Sequence, residues 1–110
     1  MRYRNLFRSI AQMTNDGIAV SFSGARLLGT AMDAVGRDAM VAIRPDDLHV
    51  RGDGPISATV EIAEYHGRDY YALAKGNDGK DLYFRSEYRL NPGELVRLAA
   101  PRERVLVYSA

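Results

Sequence analysis

Turn-forming clusters recur at intervals of roughly ten residues along this chain, and the apolar residues between them run with a period of two. The clusters are Thr14-Asn15-Asp16-Gly17, Ser23-Gly24, Arg51-Gly52-Asp53-Gly54-Pro55, His66-Gly67-Arg68, Gly76-Asn77-Asp78-Gly79-Lys80 and Asn91-Pro92-Gly93-Glu94. Asn, Asp and Gly tolerate the positive φ of tight hairpins, while Pro sets a turn and removes a ladder donor. Between the clusters, Ile18, Val20 and Phe22 alternate with Ala19 and Ser21, and Leu82 and Phe84 alternate with Tyr83 and Arg85. Segments this short and this regularly broken predict a small all-β barrel and leave little room for a helix.

The remaining segments read the same way. Arg8 to Met13 is a strand with Ile10 and Met13 as its apolar positions, and Met40 to Ile43 is another. Thr30 to Asp38 is a connecting loop, because Gly29 and Gly36 bracket it too tightly for a helix. Ser57 to Tyr65 is a long central strand, with Val60 and Ile62 on one face and Thr59, Glu61, Ala63 and Tyr65 on the other. Asp69 to Lys75, Asp81 to Ser86, Leu95 to Leu98 and Val105 to Tyr108 complete the set. No internal repeat is visible. The breaker cluster Arg51 to Pro55 marks the expected division into a first lobe, 1–53, and a second, OB-like lobe, 54–110.

Composition narrows the function classes. A chain of 110 residues forms one domain or two small lobes around a shared core. With a formal net charge of +1 it carries no global field to attract nucleic acid or an anionic membrane. It has no cysteine, which removes disulfides and thiolate metal sites and fits a reducing compartment. No apolar run approaches membrane-spanning length, so contact with a membrane is expected only through a partner. The abrupt opening Met1-Arg2-Tyr3-Arg4 fits a domain cut from a longer polypeptide as well as a complete product.

The stretch Val41-Ala42-Ile43-Arg44-Pro45-Asp46-Asp47-Leu48 is an apolar strand stopped by a proline. It resembles the "GIRPE(D/H)L" segment in the C-terminal regulatory domain, called TOBE or MOP-like, of ABC importer ATPases of the maltose, polyamine, ferric-iron and sulfate group. Ala42 replaces the usual Gly there. Upstream, Asn5-Leu6-Phe7 matches the opening "N-(L/F)-(F/L)-x-G-x-V" of that domain, although Ser9 and Ile10 depart from it. Downstream, Val60, Glu64, Tyr65, Gly67, Asp69, Asp78-Gly79, Pro92-Gly93-Glu94, Val96, Leu98, Arg104, Val105 and Tyr108 follow the family's tail in order and spacing. His66 stands where Leu is usual, and Arg102-Glu103-Arg104 stretches the usual Pro-Glu pair.

The resemblance implies two OB-like lobes that share strands, in a regulatory domain that pairs across a homodimer. It also implies ABC permease subunits as partners through the parent subunit, and a cytoplasmic location, peripheral at the inner membrane. No cofactor is expected in this chain, since ATP and Mg would sit in the parent's ATPase domain. The residues agree with that division: the phosphate-loop string G-x-x-x-x-G-K-(S/T) and the Leu-Ser-Gly-Gly-Gln signature are both missing, so the chain is not an ATPase by itself. The alternative is a free-standing MOP-type protein that binds a molybdate-like oxyanion.

Chemistry beyond this is sparse. His49 and His66 show no metal-ligand spacing, and no nucleophile elbow is present. Glu64-Tyr65-His66-Gly67-Arg68-Asp69 gathers ionisable and aromatic groups at one tight turn. The more ordinary reading is a solvated hairpin tip with Arg68 near Glu64 or Asp69. The sharper one is a contact to a partner protomer or a small anion, with Arg44 as a second cation. The candidate interface or ligand residues are therefore Arg44, Asp46, Asp47, Glu64, Tyr65, His66 and Arg68. The tyrosines of the second half suggest core edge or interface rather than a stacking platform for single strands, because Glu64, Asp69 and Glu87 offset Arg68, Arg85 and Arg89. No nucleic-acid partner and no direct membrane insertion are expected.

Overall fold

A computed structural model describes residues 5–110; the opening Met1 to Arg4 lies outside the described residues. The strands are β1 (Asn5–Thr14), β2 (Gly17–Phe22), β3 (Ala25–Ala31), β4 (Asp38–Ile43), β5 (His49–Val50), β6 (Ile56–Tyr65), β7 (Tyr70–Gly76), β8 (Asp81–Ser86), β9 (Leu95–Ala99) and β10 (Leu106–Ser109). Two single 3-10 turns, Pro45–Asp47 and Arg102–Arg104, precede β5 and β10. The protein is all-β and forms two closed five-strand barrels, in the order β1-β2-β3-β10-β4 and β5-β8-β7-β6-β9. Closure joins the outer strands of each sheet, over one residue pair between β5 and β8 and two between β3 and β10.

The chain contains a structural repeat that its sequence conceals. Each half makes a meander of three antiparallel strands (β1-β2-β3 and β6-β7-β8), then a fourth strand that closes on the first. A 3-10 turn follows, and the fifth strand then crosses to the other barrel. There β5 lies parallel to β8, with His49 beside Arg85, and β10 lies parallel to β3, with Leu106 beside Thr30. The two turns share one backbone bond at equivalent positions. Asp47 N–H donates to the Arg44 carbonyl at 2.9 Å, and Arg104 N–H donates to the Pro101 carbonyl at 2.8 Å. Leu48 and Val105, which follow the turns, are both fully buried. The lobes thus share strands by exchanging them, and apolar identity at Leu48 and Val105 preserves the geometry where the wording Pro-Asp-Asp and Arg-Glu-Arg differs.

This exchange moves the lobe boundary from where the breaker cluster puts it. The chain leaves the first barrel at the Pro45 turn, not at Asp53, and Leu106–Ser109 returns to it. Arg51 to Pro55 instead joins β5 to β6 inside the second barrel, where Arg97 Nε donates to the Gly54 carbonyl at 2.7 Å. The loop after Gly29 is also shorter than expected, since Thr30 and Ala31 belong to β3 and Asp38 to β4.

Alternation reads correctly where the strands are regular. Ile18, Val20, Phe22, Leu82 and Phe84 all enter the core, which runs through both barrels. It fails in two places. Ile10 points outward, because β1 spends its inward positions on Asn5, Phe7, Ser9 and Ala11; Met13 shares the inward parity but lies beyond the β4 pairing, near the β1–β2 hairpin end, and is exposed as well. The Ser9 hydroxyl accepts the Ser21 N–H at 2.8 Å, bridging the change of ladder from β4 to β2. In β6, Val60 pairs with Ala74 and Ile62 with Leu73, so Glu61 is an extra residue and forms a β-bulge. The bulge separates Val60, which is buried, from Ile62, which is 52% exposed, although strict alternation puts them on one face.

The barrels are fastened at three points. Asn5 is wholly buried; its amide donates to the carbonyls of Ile43 at 3.0 Å and Tyr83 at 2.7 Å, and its side-chain oxygen accepts the Tyr83 N–H at 2.7 Å. The side chain thus acts as a length of backbone between β4 and β8, with its polar atoms satisfied inside the protein. Nearby, the Ser23 hydroxyl donates to Asp78 at 3.0 Å, packed so close to Gly76 that a Cβ there would collide with Ser23 Oγ. Lys80 Nζ lies 5.1 Å from the centre of the Phe7 ring, within range of a cation–π contact.

Candidate functional site

The site is built on the outer face of β6, β7 and β8. Register places Ile62 beside Leu73 and Tyr83, and Glu64 beside Tyr71 and Arg85, in two successive rows. The Glu61 bulge is what turns Ile62 and Glu64 outward into these rows. The Pro45–Asp47 turn lies across one side as a wall, since the exchanged strand β5 must pass here to reach β8. Together these elements enclose a cleft of about 100 Å³, lined by Pro45, Ile62, Leu73 and Tyr83 with Glu64 and Tyr71 as its polar members.

Tyr71 ties the wall to the sheet. Its hydroxyl donates to Asp46 at 2.5 Å, and its ring meets the His66 ring edge-on at 5.0 Å. His66 Nε2 lies 3.7 Å from Glu64 Oε1. The Asp46 hydrogen bond, followed by partial burial and the negative charges of Asp46 and Asp69, holds the Tyr71 phenol above its ordinary value, with Arg85 opposing. A raised phenol means that folding favours the neutral form. The stabilisation is therefore complete below the ordinary tyrosine value of 10.0 and is lost as pH rises through the higher folded value. In a spectrophotometric tyrosine titration, Tyr71→Phe is expected to remove a component lying above the ordinary tyrosine value. An unchanged titration in the variant counts against the Asp46 bond.

Of the residues singled out from sequence, Asp46, Glu64 and His66 are brought together around Tyr71. Tyr65 turns to the opposite face, where its ring lies 5.1 Å from that of Tyr70 and its hydroxyl donates to the Gly67 carbonyl at 2.7 Å. Asp47 contributes its backbone to the 3-10 turn. Arg68 is exposed at the hairpin tip, and the cation nearest Asp69 is Arg85, at 3.8 Å. Arg44 lines a separate groove on the first barrel with Leu6, Met40, Leu106 and Tyr108. Among the described residues, no three His, Cys, Asp or Glu side chains are placed to share a metal ion.

Sequence reasoning missed the organising role of Tyr71, whose partner Asp46 lies 25 positions away. It also missed Asn5, matched only as the first letter of a motif. No local signal marks it, because its partner Tyr83 lies 78 positions away.

No curated protein matches the chain. A family pattern does: that of the TOBE domain, over residues 41–107. The match begins in β4, crosses the exchanged β5 and the entire second barrel, and ends in β10, so it includes every element of the cleft. Because it covers more than half of the 110 residues, and both closed barrels accord with it, the chain belongs to the TOBE domain family.

Proposed function

We propose that this chain is the C-terminal regulatory and dimerisation domain of the ATP-binding subunit of an ABC-type solute importer. In this reading it is non-catalytic by itself, while ATP and Mg are held by the parent's ATPase domain. The parent places it in the cytoplasm, peripheral at the inner membrane against the permease subunits. The observation that supports it best is the outer face of the first barrel. There, register aligns Leu6, Ala42 and Leu106 in one row and Arg8, Met40 and Tyr108 in the next. Leu6 is 46% exposed, Ile10 51% and Tyr108 37%. A largely apolar face on three adjacent strands, with Arg8 in its second row and Arg44 lining the groove, is suited to a self-complementary contact with a second copy. A contact of this kind keeps the ATPase halves at high effective concentration while they open and close. A ligand that favours one dimer geometry then biases turnover by linkage.

Sedimentation of the full chain tests the pairing. A concentration-dependent dimer is expected, and Leu6→Lys is expected to weaken it at least about tenfold by burying an unpaired charge. A monomer at every concentration, or a dimer indifferent to Leu6→Lys, overturns the assignment of this face. A second reading, the molybdate-like oxyanion binder, is favoured by one local feature. His49 and Arg85 stand side by side over a hollow of about 270 Å³ that includes Ser86 and Glu87. Calorimetric titration with molybdate, tungstate and sulfate separates the two readings, since only the second requires tight binding.

A further inference from the structure

In the first barrel β4 lies between β1 and β10 and is the middle strand of the exposed face. Its burial alternates strictly: Ala39, Val41 and Ile43 fill the core, while Asp38, Met40 and Ala42 face outward. Arg44 continues the outward series. It keeps an extended backbone (φ −70°, ψ 147°) before the Pro45 turn and lines the same groove as Met40 and Ala42. The outward side chains of this one strand thus run acid, large apolar, small apolar, base. At about 3.3 Å per residue the two charges stand roughly 20 Å apart. Among the described residues, neither the Asp38 carboxylate nor the Arg44 guanidinium has an ion-pair partner.

The apolar members differ in height. Ala42 sits low between Leu6 and Leu106, and the hollow over it measures about 270 Å³, bounded along the strand by Met40 and Arg44. A knob at Met40 and a hollow at Ala42 fit a second copy of themselves only when the partner's β4 runs the other way. Each Met40 then enters the other's hollow, around a two-fold axis that crosses β4 at Val41. The same axis sets Asp38 against the partner's Arg44, because both residue pairs are centred on position 41. Shape and charge therefore select one register independently. The parallel arrangement instead puts Met40 on Met40, Asp38 on Asp38 and Arg44 on Arg44, with like charges opposed at both ends. A closed barrel is convex outward, so β4 makes the nearest approach and the flanking strands, with Arg8, fall away to the rim.

We propose that two copies of this chain pair with their β4 strands antiparallel, Met40 of each seated over Ala42 of the other, and two reciprocal Asp38–Arg44 ion pairs closing the ends. The proposal rests on reading this face as the dimer contact and adds the orientation and register of the pair. The ion pairs are exposed and contribute little affinity; their effect is on direction, since they oppose the parallel alternative. Affinity comes from the apolar centre, where Met40 and Tyr108 leave water together with Leu6 and Leu106. A contact with one permitted register holds whatever each copy is attached to in one relative orientation, which a sliding apolar contact does not.

The test combines charge exchange with cross-linking of the full chain. Asp38→Arg and Arg44→Asp, both at exposed positions, are each expected to weaken self-association in sedimentation at least about tenfold, since each sets like charges together at both ends. Mixing the two variants, or combining both exchanges in one chain, restores unlike pairs and is expected to bring association back to within about threefold of the original. The chain has no cysteine, so single introduced thiols report the register directly. A short bis-maleimide is expected to link Asp38→Cys to Arg44→Cys in a mixture and to link neither variant to itself. Self-linking of either variant, or a dimer indifferent to both charge exchanges yet weakened by Leu6→Lys, overturns the register and leaves the face as the contact. A monomer at every concentration, or a dimer indifferent to Leu6→Lys, overturns the face and the register together.

Discussion

Replacing Asn5 by leucine is expected to lower the unfolding free energy by about 3–5 kcal/mol, among the largest effects of any single side-chain change in the chain. The substitution keeps the branch at Cγ but puts two bulkier methyl groups in place of the amide oxygen and nitrogen, and it removes three hydrogen bonds at once, to the Ile43 carbonyl and to both backbone groups of Tyr83. Removing one partner from a buried polar pair costs about 1–3 kcal/mol, because the surviving group gives up water and gains nothing in return. No water reaches the Asn5 position, which is 0% exposed. For a domain of this size the loss corresponds to a fall in Tm of more than about 10 °C. Denaturant unfolding reads the effect directly, and a loss below about 1 kcal/mol would show that the staple is dispensable.

Asn5→Asp refines the same argument. It retains the acceptor for the Tyr83 N–H but turns the donor into a second oxygen facing the Ile43 and Tyr83 carbonyls. A buried carboxylate among carbonyls favours its protonated form, which restores one donor. Its folded-state proton affinity then exceeds the unfolded value, so its stability is best in acid and lost as pH rises. Asn5→Leu has no such dependence, and comparing the two at low and neutral pH separates lost hydrogen bonds from buried charge.

Asn5 also shows why part of this fold is legible in sequence and part is not. Ile18, Val20 and Phe22 reveal a strand because each reports its own face, and the signal is local. The Asn5 staple depends on Tyr83, 78 positions away, and nothing near Asn5 announces it. The Glu61 bulge is hidden for a different reason: Val60 and Ile62 are both apolar, so a register shift between them leaves the pattern looking intact. Exchange of β5 and β10 is concealed likewise. Either barrel can bury Leu48 or Val105, and only the backbone route through the 3-10 turns decides which does. The candidate site divides along the same line. Glu64 and His66 lie in one hairpin, and their nearness follows from the turn, whereas Asp46 joins them only because strand exchange brings its turn onto β7 and β8.

Strand exchange also sets the second large effect, at Gly54. A Cβ there would lie 2.5 Å from the Leu98 carbonyl oxygen, 2.6 Å from its carbonyl carbon and 2.8 Å from its nitrogen. All three are backbone atoms of β9, which cannot withdraw. Leu98 is held on one side by Ile56 of β6 and on the other by Val50 of the exchanged β5. Overpacking against side chains costs about 1–3 kcal/mol, and against a strand fixed on both sides Gly54→Ala is expected at or above the top of that range. Gly52, in the same connection, has nothing within 4 Å of the place a methyl group would take, and no positive φ. Gly52→Ala is therefore expected to stabilise by about 0.4–1 kcal/mol, through the lower entropy of the unfolded chain. The two substitutions lie two positions apart and differ in sign. Equal responses to denaturant would mean that the connection shifts as a whole and that β5 is not fixed against β9; opposite responses would place the rigid seam of the second barrel at Gly54, where the chain that has crossed from the first barrel is locked in.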